Sequence, residues 1–334
     1  MTIYDIAEIA GVNASTVSRV INGKPGCGKK KREEILALLK QYNFIPDATA
    51  RNLVSQRNHT VGILTDDLHS THMNEAIAIL QNELLSAGYH CYLSYVNDGT
   101  SPDAVERGFR DLASRRVEGV LLLGQCFHDH QALEPEIIKY LPDKPVVLVN
   151  QTQPSQLENI YAIGANEPRG IHRCVELLVS RKRNHLMLLI DRGRTSTLQL
   201  KQAFEEALTK YGSEIAGCTV ADVPYRGTEG EETALTIMQQ HPEVNGIMCT
   251  HDRIAINAIY ALQSLGREVP GDVSVIGEDN SELCKVCRPK LTSLDTMIRQ
   301  ITLLSAETIL CAMEGRPCSH YVSLEMEMHH RDSV

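Results

Sequence analysis

Along most of the chain, short aliphatic and β-branched runs alternate with longer stretches whose apolar positions recur every three or four residues. The runs VGILT (61–65), YHCYLSYV (89–96), GVLLL (119–123) and PVVLV (145–149) are spaced as successive strand-helix units are. The series resumes with LMLLI (186–190), CTVADV (218–223), GIMCT (246–250) and VSVIG (273–277). Between them lie amphipathic segments such as EAIAILQNELLSAG (75–88) and RIAINAIYALQSLG (253–266). In the second of these, Ile254, Ala258, Ala261, Leu262 and Leu265 share one helical face, and Gly266 supplies a stop. Alternating strand and helix predicts parallel sheets, and this many units predicts two doubly wound subdomains of similar size. The uneven spacing near NQTQPSQLEN (150–159) argues against one closed barrel. In such folds a ligand lies beyond the carboxyl ends of the strands, so a cleft between the two sheets is the expected pocket.

The first 58 residues follow a different, all-helical pattern. Thr2 can cap a helix over 3–10, with Asp5 as a capping-box acid, and Gly11 ends it. Asn13 can cap a second helix over 14–22. Ile6, Ile9, Ala10, Val12, Val17, Val20 and Ile21 form the expected apolar seam, while Ser15, Thr16, Ser18 and Arg19 point outward. Two short helices joined by a turn with Gly form a helix-turn-helix, and a third helix over 30–43 closes a three-helix core. The outward face of the second helix carries hydroxyl and guanidinium groups suited to phosphates and base edges, rather than the Glu/Lys mixture of a merely solvated face.

Charge supports this division. The chain of 334 residues has a formal net charge of -9, which by itself argues against nucleic acid. Residues 1–58 nevertheless hold nine Lys/Arg against five acids, a net of +4, leaving -13 for the rest. No apolar run approaches the roughly 18 residues of a membrane span, and the N-terminal residues do not read as an export signal. The expected location is therefore the cytoplasm, with the ten cysteines mostly free thiols.

Within this frame, TIYDIAEIAGVNASTVSRVINGKPG (2–26) resembles the DNA-binding head of the lactose/galactose-repressor (LacI/GalR) family of bacterial transcription regulators. FIPDATARNLVSQ (44–56) is similar to the family's hinge. The body follows in GIMCTHDRIAINAIYALQSLGREVPGDVSVIGEDNSEL (246–283), RPKLTSL (288–294) and HRDSV (330–334). The resemblance implies an α/β protein with an N-terminal three-helix helix-turn-helix head over 1–45 and a hinge over 46–58. It further implies two doubly wound parallel-sheet subdomains over 59–334, like a type I periplasmic binding protein. The first would comprise about 59–158 and 292–320, and the second about 159–291 and 321–334.

The resemblance also implies roles for particular residues. Ala14, Ser15, Ser18 and Arg19 match base-reading positions, while Tyr4, Thr16 and Asn22 match phosphate contacts beside the helix cap Asn13. Gly28 stands where the family has a Ser cap that meets a phosphate, with Lys31 behind it. In the hinge, Ala50 is expected on the DNA and Leu53 as a minor-groove wedge, while Asp47 replaces a common Asn. Effector contacts are expected from Asp67, His69, Asn150, Tyr225, His251, Asp252 and Asp279. Leu200 stands where an Arg usually clamps the ligand, and Arg194 or Lys201 is the nearest substitute.

The partners so implied are operator DNA, a sugar or sugar-phosphate effector, and a second copy of the chain. No heptad tail follows that would favour a tetramer. A sugar-binding or sugar-processing protein without a regulatory role is the alternative. Cys284-x-x-Cys287, His128-x-His130 and His329-His330 are too sparse for a metal expectation, and Gly23–Lys29 lacks the hydroxyl residue of a nucleotide-phosphate loop. With no G-x-S-x-G or G-x-G-x-x-G motif either, no cofactor and no enzymatic activity are expected.

Overall fold

The computed structural model describes the chain except for residues 22, 24, 45–57, 98–100, 129, 152–153, 192–196 and 226–228. It divides into two compact units, Met1–Asn58 and His59–Val334.

The first unit is built on α1 (Ile3–Ile9), α2 (Ala14–Ile21) and α3 (Lys29–Gln41). A complete capping box opens α1. The Asp5 N–H donates to Thr2 Oγ1 at 3.3 Å and the Thr2 N–H to the Asp5 carboxylate at 2.6 Å, which holds that carboxyl below its ordinary pKa. Gly11, at φ +61°, turns the chain towards α2. Ile6, Ala7, Ala10, Val17, Val20 and Ile35 form the buried core, with Val12 and Ile21 packed at its margin. Ile9, expected in the seam, is exposed instead. The buried stripe of α1 runs through positions 6, 7 and 10, and Ala7 takes the place that the spacing gave to Ile9.

The second unit begins with β1 (Thr60–Thr65), α4 (Thr71–Ser86), β2 (His90–Tyr95), α5 (Pro102–Ser114), β3 (Gly119–Leu123), α6 (His130–Tyr140) and β4 (Val146–Val149). It continues through β5 (Ile160–Ala165), α7 (Glu167–Ser180), β6 (His185–Asp191), α8 (Thr197–Thr209), β7 (Gly217–Val223) and α9 (Glu229–Gln240). Then come β8 (Gly246–Cys249), α10 (Asp252–Ser264), β9 (Ser274–Glu278), the short α11 (Leu283–Val286), β10 (Thr292–Asp295) and α12 (Ile298–Met313). The last elements are β11 (Tyr321–Leu324) and β12 (Glu327–His329). Two six-stranded sheets result, ordered β11-β5-β4-β3-β1-β2 and β12-β10-β9-β8-β6-β7. The first is wholly parallel, and in the second only β12 runs antiparallel, against β10. The inner strands β3, β4 and β8 are continuous apolar runs, as strands covered by helices on both faces must be.

The subdomain boundaries differ from the sequence expectation. Strands β5 and β11, expected in the second subdomain, belong to the first sheet, and β10, expected in the first, belongs to the second. An apolar run identifies a strand but not the sheet it joins. The chain therefore passes between the sheets at three places: after Ala165, between Asp295 and Ile298, and between Leu324 and Glu327. The Asn166 N–H donates to the Leu324 carbonyl at 2.8 Å, which couples two of these crossings. At the third, Met297 adopts a left-handed φ of +59° while its N–H donates to the Asp295 carboxylate at 2.7 Å. Thr296 Oγ1 lies 3.2 Å from His72 Nε2 on α4. The terminal segment closes the second sheet, where the Ser333 hydroxyl donates to the Val275 carbonyl at 2.6 Å and accepts from the Thr292 N–H at 2.9 Å.

Because the helical unit has its own small core, Ile6→Ala is expected to cost it about 2–5 kcal/mol, most of the stability of so small a unit. Calorimetry of the full chain should show one transition lowered or lost and the transition of the α/β unit unmoved.

Candidate DNA-reading face and ligand cleft

In the helical unit, packing of Val17 and Val20 against Ile6 and Ile35 turns the opposite side of α2 outward. Asn13, Ser15 and Arg19 are exposed there, and Ala14, Thr16 and Ser18 are half-buried. Gly26, at φ +110°, leaves room for Arg19, because a Cβ at that position would lie 3.3 Å from the guanidinium. Tyr4, in the first turn of α1, is 73% exposed.

Helix α3 starts at Gly28 with no side-chain cap, so its first N–H groups and the exposed Lys29 and Lys30 stand together. Lys31 is engaged inside the unit. Its ammonium donates to the Ala10 carbonyl at the end of α1 at 2.8 Å and pairs with the Glu34 carboxylate at 2.9 Å. A cation at a helix C-terminus complements the helix dipole, so this side chain ties α3 to α1. Asn22, Ala50 and Leu53 lie outside the described residues.

In the α/β unit, the expected ligand positions fall where strands end. Asp67 follows β1, and one of its carboxylate oxygens accepts from the His69 and Ser70 N–H groups at 2.8 and 3.1 Å. His69 itself is exposed. Asn150 follows β4 with a left-handed φ of +62°. On the other sheet, Tyr225, His251 and Asp279 come together. The Tyr225 and His251 ring centroids are 4.6 Å apart, and His251 Nδ1 is 3.1 Å from the Asp279 carboxylate.

Asp191, at the end of β6, completes this group and was not among the expected residues. It accepts the Tyr225 N–H at 3.1 Å and lies 3.9 Å from His251 Nε2. Its signal was present in the sequence, as an acid that directly follows an apolar strand. Burial raises the Tyr225 phenol above its ordinary pKa, Asp279 and Asp67 add to the rise, and a hydrogen bond with Ser70 opposes it. Ser70 belongs to the first subdomain and Tyr225 to the second, so this phenol faces the opposite wall of the cleft.

Asp252 is placed differently. It is 1% exposed, one carboxylate oxygen accepting from the Ser293 hydroxyl at 2.5 Å and the other from the Ser281 N–H at 2.7 Å. Burial, with Asp279 nearby, pushes its carboxyl up to about 6. The absence of a side chain at Gly277 makes this possible, since a Cβ there would lie 2.4 Å from the carboxylate. Asp252 thus anchors the loop after β9, which carries Asp279. Leu200 is buried in the apolar core under α8 and Lys201 is half-buried, while Arg194 lies outside the described residues. Among the described residues, no three His, Cys, Asp or Glu side chains form a group that could hold a metal ion.

The cleft brings acceptor carboxylates and an aromatic ring together. Carboxylates accept from hydroxyls, and an aromatic face covers the apolar side of a polyol. Among the described residues no helix is long and apolar enough to cross a membrane.

Comparison with known proteins agrees with this architecture. Residues 2–47 match the family described as "Bacterial regulatory proteins, lacI family", and residues 175–334 match a "Periplasmic binding protein-like domain". The chain is 25% identical over 329 residues to an HTH-type transcriptional regulator of Lachnoclostridium phytofermentans, covering 98% of each chain. It is 26% identical to the HTH-type transcriptional regulator MalR of Clostridium butyricum, covering 100% of this chain and 99% of that one. Among solved structures, the lac repressor dimer bound to operator and the anti-inducer ONPF superposes with a TM-score of 0.89 at 22% identity, covering 100% of this chain and 98% of that one. The CelR-cellobiose complex superposes with a TM-score of 0.71 at 22% identity, with full coverage of both chains. Residues 2–47 are thus those of a LacI-family regulatory head, and residues 175–334 those of a periplasmic-binding-protein-like domain.

Proposed function

We propose that this chain is a transcriptional repressor that binds operator DNA through its helical unit as a homodimer, and that a sugar or sugar phosphate in the cleft controls it. The observation that carries this reading is the joining, in one chain, of an exposed hydroxyl and guanidinium face on α2 to a two-sheet body whose strand ends converge on Tyr225, His251, Asp191 and Asp279. Relatives that span nearly the whole chain are named as transcriptional regulators, which disfavours a sugar-processing enzyme. Leu85, Leu93 and Tyr95 on α4 and β2, and Tyr260, Leu265, Leu283 and Val286 on and beside α10 and α11, are exposed apolar surface that a second copy would cover.

A ligand changes operator affinity only by its differential affinity for two states of the protein. The Tyr225 phenol, which meets Ser70 across the cleft, gives those states a physical difference: an occupant of the cleft rearranges or reinforces that bridge. The relative named as a cellobiose complex supports a carbohydrate here.

Arg19→Ala is expected to weaken operator binding by about 1–3 kcal/mol and to relax sequence preference. Lys30→Ala should instead lower the slope of log affinity against log salt by about one per head. Lys31→Ala should leave that slope almost unchanged and reduce the thermal stability of the head, because its ammonium holds the end of α1. Fluorescence anisotropy with operator and scrambled duplexes across salt concentrations separates the three. Equal loss of slope for Lys30→Ala and Lys31→Ala would contradict the assignment.

For the cleft, a thermal-shift screen of sugars and sugar phosphates identifies the effector by mass action. With that effector, Tyr225→Ala should weaken binding by about tenfold or more. Tyr225→Phe, which keeps the ring but loses the bridge to Ser70, should mainly change operator affinity without effector. Leu283→Asp combined with Val286→Asp should yield monomers by analytical ultracentrifugation and weak operator binding.

A further inference from the structure

A second concave site lies on the α/β unit, on the outward face of α7. It is a cavity of about 640 Å³, walled on one side by Arg169, His172, Arg173 and Glu176, and on the other by Lys210 and Tyr211, which follow α8. None of these residues belongs to the cleft described above. The body as a whole is acidic, at -13, yet this wall sets two guanidinium groups, an ammonium and an imidazole against one carboxylate. The Lys210 ammonium lies 5.2 Å from the centroid of the Tyr211 ring, so charge and aromatic surface meet on the same side. We propose that this groove binds a phosphorylated small molecule, as a site separate from the cleft and independent of the cleft's proposed role. The volume suits a small ligand rather than a protein segment. Guanidinium groups recognise phosphate oxygens bidentately, and Glu176 on the rim can accept a hydroxyl of the same ligand.

The position of the groove gives its occupancy a consequence. Arg169 pairs with Glu325 at 2.9 Å, and Arg173 donates to the Met326 carbonyl. Residues 325 and 326 form the crossing between β11 and β12, one of the three passages between the subdomains. Met326 is buried against α7, where a Cβ at Gly170 would lie 2.5 Å from its sulfur. The Arg169–Glu325 pair is exposed on both sides, and an ion pair of that kind contributes little and is readily exchanged. A bound phosphate competes with Glu325 for Arg169 and so acts directly on the crossing. The pocket is lined also by Asn166, whose N–H donates to Leu324 across two of the crossings.

The test is calorimetric titration of the full chain with pyrophosphate, and in parallel with citrate. Saturable binding of one pyrophosphate per chain is expected, weakened about tenfold or more by Lys210→Glu and by Arg169→Gln and unchanged by Lys30→Ala in the helical unit. Lys210→Glu, which touches no crossing, should keep the parent's operator affinity without pyrophosphate, and Arg169→Gln should keep the thermal transition of the α/β unit, which shows that both variants fold. Binding lost in Lys30→Ala but retained in the groove variants would place the anion on the DNA-reading unit and overturn the proposal. So would the absence of saturable binding, or binding of citrate without pyrophosphate.

Discussion

The hydrogen bond from the Asn166 N–H to the Leu324 carbonyl, at 2.8 Å, joins two of the three strands of chain that pass between the sheets, and the mechanics of the α/β unit depend on it. Each sheet is internally closed by ladders and covering helices, so relative motion of the subdomains is confined to a few residues at the crossings. Left-handed Met297 and the Asp295 carboxylate that receives its N–H set the geometry of one crossing. The Arg173 contact to the Met326 carbonyl lies at another, with the exposed Arg169–Glu325 pair beside it. Because the packed sheets themselves deform little, these crossings are the points at which the proposed opening and closing of the cleft acts.

The same topology explains why the polar groups converge. In parallel sheets the carboxyl ends of neighbouring strands face one way, so residues distant in sequence arrive at one place. Asp191 after β6, Tyr225 beyond β7, His251 after β8 and Asp279 after β9 meet for this reason. Asp67 and Ser70 approach from the other sheet. Asp252 supports the arrangement from beneath, where Ser281 and Ser293 take both carboxylate oxygens. Its raised pKa reflects the burial that this anchoring requires.

Much of this was legible in the sequence. The eight apolar runs all became strands, and six of them are inner parallel strands, buried on both faces and so carrying a strong, unbroken signal. The four strands without a clear signal, IYAIGA, TSLD, YVSL and EMH, are short or partly polar, and all four adjoin the crossings. Their sheet membership depends on long-range pairing, which local periodicity does not encode. The helix-turn-helix was readable from its caps and turn, yet Ile9 and Ala7 exchanged places because a seven-residue helix fixes its phase poorly. The direction in which Lys31 points was hidden for another reason. A lysine behind a helix cap reads equally well as a phosphate contact, and only the closeness of Ala10 and Glu34 decides.

The electrostatics of the cleft then narrow the chemistry of its occupant. Asp67, Asp191 and Asp279 bring carboxylates to a partly desolvated place, where charge is costly unless it is paired or hydrogen-bonded. His251 lies between Asp191 and Asp279, at 3.9 and 3.1 Å, and the Tyr225 and Ser70 N–H groups add donors. A carboxylate has about four acceptor positions, so each of these residues has capacity for more than one donor. Ligand hydroxyls supply such donors with the directionality that water lacks, and the bonds they form are charge-assisted. Leu200, buried beneath, contributes only apolar packing, so at the proposed effector site this wall offers hydrogen-bond acceptors rather than an anion clamp. That property suits a ligand rich in hydroxyl groups, held by acceptors and lying against the Tyr225 ring.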